Sequence, residues 1–157
     1  MIFTVRKKIK VMVFGVFDLL HPGHVDFIKQ AKALGDFLIV SVARDVNVIK
    51  IKGQRPVHDE KQRLANLGSV PYVDKIVLGG KIDPWPHIVK ARPDVIALGY
   101  DQGLYISQIT DNRKQIITLE TELQKHGLKK TKVVRLKPHW PQIYKSSKLR
   151  RSIRYEV

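Results

Sequence analysis

The stretch Val11–His24, Val-Met-Val-Phe-Gly-Val-Phe-Asp-Leu-Leu-His-Pro-Gly-His, constrains the fold more than any other part of the chain. Val11–Phe14 is an unbroken apolar run, the pattern of a short strand covered on both faces. Gly15 breaks it. His21 and His24 follow three residues apart, so on a helical turn they share a face. Pro22 suits the first turn of a helix, where its missing N–H costs nothing. Val25, Phe27, Ile28, Ala31 and Leu34 then recur at helical spacing. The order is buried strand, tight turn, amphipathic helix. The first N–H groups of such a helix have no partner within it, which makes the helix start an expected phosphate site.

The same alternation runs through the rest of the chain. Apolar runs predict strands at Phe37–Ala43, Lys75–Leu78, Val95–Leu98 and Lys132–Leu136. Helices are predicted from Asp59, in the N-cap region, to Leu67, over Pro84–Arg92 with Trp85 inward, over Arg113–His126 with Gly127 as its stop, and over Ser147–Arg154. Arg44–Val57 is polar and basic and reads as a mobile loop; residues 103–112 give no clear pattern. Strands alternating with helices imply βαβ units. The expected fold is α/β, a Rossmann-like, doubly wound, parallel five-stranded sheet. It forms a single domain over 1–157 with a core of about 9–154. Ligands of such sheets sit beyond the carboxyl ends of the strands. Gly15, Arg44, Gly79 and Tyr100-Asp101 all fall there.

Composition narrows the chemistry. The chain has 157 residues, 43% of them hydrophobic, and no cysteine. Thiolate metal sites and a cysteine nucleophile are therefore excluded. No apolar run reaches the roughly 18–20 residues of a membrane span. The N-terminus has its charges after its apolar residues, the reverse of a secretory signal, so a cytoplasmic location is expected. The net charge is +15, and from Lys125 onward there are eleven Lys or Arg against one acid, Glu156. Such charge favours anions: nucleotides, phosphorylated substrates, nucleic acid. For nucleic acid the chain offers no reading element beyond the charge, so that partner is not favoured. His21 and His24 lack a third ligand at metal spacing, so no protein metal site is expected.

The run Phe-Gly-Val-Phe-Asp-Leu-Leu-His-Pro-Gly-His resembles the Gly-x-Phe-Asp…His-x-Gly-His signature of the cytidylyltransferase-like nucleotidyltransferases. Val42-Ala-Arg-Asp45, Lys52-Gly, Arg55-Pro56, Gln62-Arg63, Val73–Gly79 and Lys145-Ser-Ser-Lys148 agree with that family, and Pro93–Gln102 most resembles archaeal-type FAD synthetases. Those enzymes tend to carry cysteines before the Ser-Ser pair, where this chain has Lys145. The resemblance implies transfer of a nucleoside monophosphate from ATP or CTP to a phosphate-bearing acceptor, with pyrophosphate released. FMN is the favoured acceptor, and glycerol-3-phosphate or a sugar or alditol phosphate is the alternative. A basic nucleic-acid-binding module on the same fold is the reading from another class.

The resemblance also implies site roles. His21 and His24 would stabilise the transition state, and Lys52 (or Lys50) would close over the phosphates. Gly15, Val16, Phe17, Gly23, Asp101, Ser146 and Ser147 would hold the nucleotide. Arg55 and Arg63 would lie by the acceptor, although Arg63 could instead pair with Glu60 at i−3. Mg²⁺ would be bound through triphosphate oxygens, and a homodimer is possible for this family.

Overall fold

A computed structural model describes residues 3–100, 102 and 112–138. The element order is β1 (Lys10–Gly15), α1 (Pro22–Lys32), β2 (Phe37–Val42), α2 (Asp45–Lys52), α3 (Glu60–Leu67), β3 (Lys75–Leu78), α4 (Trp85–Ala91), β4 (Val95–Leu98), α5 (Asn112–Lys125) and β5 (Lys132–Arg135). All strand pairs are parallel, in the order β3-β2-β1-β4-β5. The predicted strands are those observed, to within two residues at each end.

Successive side chains of a strand face opposite ways. Val11 and Val13 of β1, with Leu38, Val40 and Val42 of β2, pack against Ile28 and Ala31 of α1 and Leu67 of α3. Met12, Ile39, Ile96 and Leu98 face the other way, onto Ile88 of α4 and Leu119 and Leu123 of α5. The sheet is thus covered on both sides, which explains the unbroken apolar runs. Trp85 packs partly buried against this second cluster and stacks on His126 with ring centroids 4.1 Å apart. Among the described residues no helix is long and apolar enough to cross a membrane.

Arg44–Val57 departs from expectation, because Asp45–Lys52 is helical. Asp45 in its first turn and Lys50 and Lys52 in its last complement the helix dipole. Gly53, at φ 74°, closes it in the left-handed conformation. Its apolar residues are β-branched and spread around the helix, with only Val48 buried, so no stripe marks it in the sequence. The predicted helix Ser147–Arg154 and the segment 103–111 lie outside the described residues.

The sheet positions the site. Chain order reverses between β1 and β4, which makes their carboxyl ends the switch point. Pairing of β1 with β2 continues to Gly15↔Val42, whereas pairing with β4 ends at Val13↔Ala97. The two strands part there, and the crevice opens beside Gly15.

Candidate active site

Gly15 ends β1, and the chain turns sharply. Phe17 and Leu19 take φ of 54° and 48°, conformations that cost energy for residues with a side chain. The Phe17 ring folds back into the core, 3% exposed. A Cβ on Gly15 would meet that ring at 2.8 Å, so only glycine fits there.

His21 is the N-cap of α1, and its Nδ1 accepts a hydrogen bond from the Gly23 N–H at 3.0 Å. The acceptor role at Nδ1 places the proton of the neutral ring on Nε2. His24 stacks on His21 with centroids 3.8 Å apart and meets the edge of Phe17 at 5.6 Å. The His24 N–H bonds to the His21 carbonyl at 2.9 Å, and the Val25 N–H bonds to the same oxygen at 3.3 Å.

These bonds correct one expectation. The N–H groups at the start of α1 are already engaged, and that of Gly23 is taken by His21 itself. Gly23 therefore offers no free donor to a phosphate. What remains directed at an anion here is the helix dipole and the imidazole pair.

Burial pushes the His24 ring down to a pKa of about 3, aided by His21 and Lys52 and opposed by Asp18. Burial also lowers His21. Both rings are neutral at physiological pH, so each can donate one N–H without carrying charge. Lys52 is close enough to His24 to act on it electrostatically. Lys52, Lys50 and Arg55 are all exposed. Asp101, Ser146 and Ser147 lie outside the described residues.

The lowered histidines set a pH window. In the unfolded chain His24 protonates near its ordinary 6.5; in the fold it resists until about 3. The unfolded state therefore binds more protons across that interval, and stability falls as pH drops through it. His21 and His87, both lowered by burial, act in the same direction. Asp36, Asp74 and Asp94, held low by hydrogen bonds and neighbouring cations, add a loss only below the ordinary carboxylate value. The melting temperature is expected to fall steadily from pH 7 to pH 4, and His24→Asn should flatten that slope. Scanning calorimetry checks this, and an unchanged slope in the variant would contradict it.

Arg63 is not where the acceptor reading puts it. Its side chain is 0% exposed. Nε donates to the His58 carbonyl at 3.1 Å, Nη1 to the Val16 carbonyl at 2.8 Å, and Nη2 to Asp45 Oδ1 at 2.7 Å. Its acid is Asp45, not Glu60. Asp45 Oδ2 also accepts from the Glu60 N–H at the start of α3. Arg63 thus braces the turn after β1 from behind, and a buried guanidinium cannot meet an acceptor.

Asp18 is a site residue that the sequence alone does not single out. It is 3% exposed, and its carboxylate accepts from the N–H groups of Val57 and His58 at 2.7 and 3.0 Å. It ties the turn carrying the histidines to the segment after α2. Its place in the Gly-x-Phe-Asp signature was the available signal, but nothing local names partners 39 and 40 residues away.

The chain resembles known proteins along most of its length. The cytidylyltransferase-like family model matches residues 12–152. A Pyrococcus abyssi protein named FAD synthase is 43% identical over 149 residues, 94% of this chain and 90% of that one. A Thermoplasma volcanium FAD synthase is 37% identical, covering 92% and 94% of the two chains. Among solved structures, a Thermoplasma volcanium protein described as a lipopolysaccharide core biosynthesis protein superposes with a TM-score of 0.73 at 37% identity, over 85% of this chain and 99% of that one. The Francisella tularensis pantoate-beta-alanine ligase shares the fold alone, at 17% identity and a TM-score of 0.52, over 98% of this chain and 72% of that one. The strand-turn-helix with its paired histidines and the extent of these matches lead to one conclusion: the chain belongs to the cytidylyltransferase-like family.

Proposed function

We propose that the protein is an FMN adenylyltransferase that converts ATP and FMN to FAD and pyrophosphate. The observation that carries the reaction class is the stacked, neutral His21–His24 pair at the start of α1, beside the opening between β1 and β4. The choice of FMN leans on the relatives named FAD synthase, which align over most of both chains.

In this reaction an oxygen of the FMN phosphate attacks the α-phosphorus of ATP. A new P–O bond forms, the bond between the α-phosphorus and its bridging oxygen to the β-phosphate breaks, and the electron pair leaves with pyrophosphate. No protein nucleophile is required. Both reactants are anions, so catalysis consists of positioning and of stabilising charge that builds in the transition state. His21 donates from Nε2 to a phosphate oxygen, and His24 supplies the second imidazole donor. Their neutrality suits the task, because a neutral imidazole already lacking a proton on one nitrogen donates from the other across the working pH range. Lys52 neutralises triphosphate charge, and Arg55 faces the acceptor phosphate. Asp101, Ser146 and Ser147 complete the nucleotide site in this reading.

Mg²⁺ prefers oxygen ligands. Here Asp18 is engaged by two backbone N–H groups and Asp45 by Arg63 and the Glu60 N–H. Among the described residues no group of three or more His, Cys, Asp or Glu could hold a metal. These residues do not form a Mg²⁺ cage, so the ion would travel on the nucleotide phosphates. The substrates are soluble metabolites, and we place the reaction in the cytoplasm.

A substrate panel tests the reading. Purified protein is given ATP or CTP with FMN, glycerol-3-phosphate or sugar phosphates, and pyrophosphate release is followed. Release with ATP and FMN, with FAD as product, is expected. Release only with CTP and glycerol-3-phosphate would replace FMN as acceptor. No release with any pair, together with RNA or DNA binding that weakens steeply with salt, would favour the nucleic-acid reading.

A further inference from the structure

The backbone ladder between β1 and β4 stops at Val13↔Ala97, yet the two strands remain joined beyond it. The join is the side chain of Gln102. Its Oε1 accepts from the Gly99 N–H at 3.1 Å, and its Nε2 donates to the Phe14 carbonyl at 3.1 Å. A backbone N–H on one side and a carbonyl on the other fix which end of the amide is which. The side chain thus stands in for a strand across the switch point, one residue before Gly15.

Arg135 of β5 reaches across β4 to the same turn. Its Nη1 donates to the Gly99 carbonyl at 2.8 Å and to the Gln102 carbonyl at 2.6 Å. The Gln102 N–H closes the turn on the Gly99 carbonyl at 3.1 Å. A Cβ on Gly99 would lie 3.7 Å from both the Gln102 Cβ and the Phe27 ring of α1. Gly99 is therefore tied to β1 through Gln102 and to β5 through Arg135. The polar groups of Gly99, and the carbonyls of Phe14 and Gln102, are already bonded. They hold the shape of the crevice wall.

We propose that Gln102, supported by Arg135, is a positioning residue for the donor nucleotide: it fixes Gly99, at the end of β4, against the end of β1 so that the nucleoside meets a preformed wall. The proposal rests on the nucleotidyltransferase reading. It assigns the clamp to the donor rather than the acceptor, because it spans β1 and β4, the two strands that border the crevice.

Gln102→Met keeps length and volume and removes both bonds. Calorimetric titration with ATP, without acceptor, reads donor binding; steady-state kinetics with FMN reads the acceptor KM. The ATP Kd is expected to rise about tenfold, the effect of two hydrogen bonds of ordinary strength. The acceptor KM should stay within about twofold, a split that general loosening of the fold would not produce. An unchanged ATP Kd, or equal rises in donor Kd and acceptor KM, would overturn the proposal. Should Gln102→Met fail to fold, Arg135→Met, which leaves Gln102 in place and removes the donor to the Gly99 and Gln102 carbonyls, is read by the same split. If the wild-type protein binds no nucleotide, the nucleotidyltransferase reading itself falls and takes the proposal with it. If ATP binds and only FMN fails to react, the reading of the acceptor fails and the clamp is still judged by the ATP titration.

Discussion

His24→Ala is expected to lower kcat by about 100- to 1,000-fold, the loss typical of removing one preorganised donor to a developing oxyanion. The fold should survive, because His24 is held by packing on His21 and Phe17 and by a backbone bond that alanine also makes. His24 Nδ1 is buried without a hydrogen-bond partner among the described residues, so truncation severs no polar tie there. His21 needs a different control, since it both caps α1 and faces the phosphates in this account. His21→Ala would lose the cap as well, at about 0.5–2 kcal/mol. His21→Asn keeps a capping side chain and removes the imidazole. A large fall in kcat with an unchanged melting temperature in that variant separates the two roles. Full activity in either His21→Asn or His24→Ala, measured by pyrophosphate release, would refute the assigned roles.

Arg63→Met should produce the largest loss of stability. It removes the donors to Asp45, Val16 and His58 while keeping an apolar side chain of similar length. Breaking a fully buried ion pair by deleting one partner costs about 3–5 kcal/mol. The Asp45 side chain is 28% exposed, so the loss here lies toward the lower end, about 3 kcal/mol. For a chain of this size that lowers the melting temperature by roughly 6–12 °C. Arg63→Lys should recover only part of the loss, because a point charge cannot serve three acceptors in a fork. Chemical denaturation measures the effect. A change below about 1 kcal/mol combined with a raised acceptor KM would restore Arg63 to the acceptor site and contradict its placement behind the turn.

Arg63 shows where the sequence stops being legible. Its helix and its Asp59 cap follow from the sequence, yet its direction depends on Val16 and Asp45, 47 and 18 residues away. No local periodicity encodes such contacts. The sheet was legible for the opposite reason. A strand buried on both faces is apolar along nearly its whole length, and the Val11–Phe14, Phe37–Ala43 and Val95–Leu98 runs, interrupted only by Ser41, announce that directly. Helix α2 was illegible because only Val48 of its residues is buried and its order comes from Asp45, Asn47 and the Gly53 cap. The shared face of His21 and His24 was legible from their spacing, but not the capping bond from Gly23. That bond occupies the N–H expected to face a phosphate, so in the proposed mechanism the anion contact falls to the imidazoles.

In the proposed reaction this imidazole pair serves adenylyl transfer from ATP to FMN. The most direct measurement uses ATP labelled at its α-phosphorus, incubated with FMN, Mg²⁺ and the purified protein. Label is expected in FAD and not in the released pyrophosphate, and both products should form about 100- to 1,000-fold more slowly in His24→Ala. Label remaining in ATP, or label passing to FAD at an undiminished rate in His24→Ala, would contradict the proposed reaction.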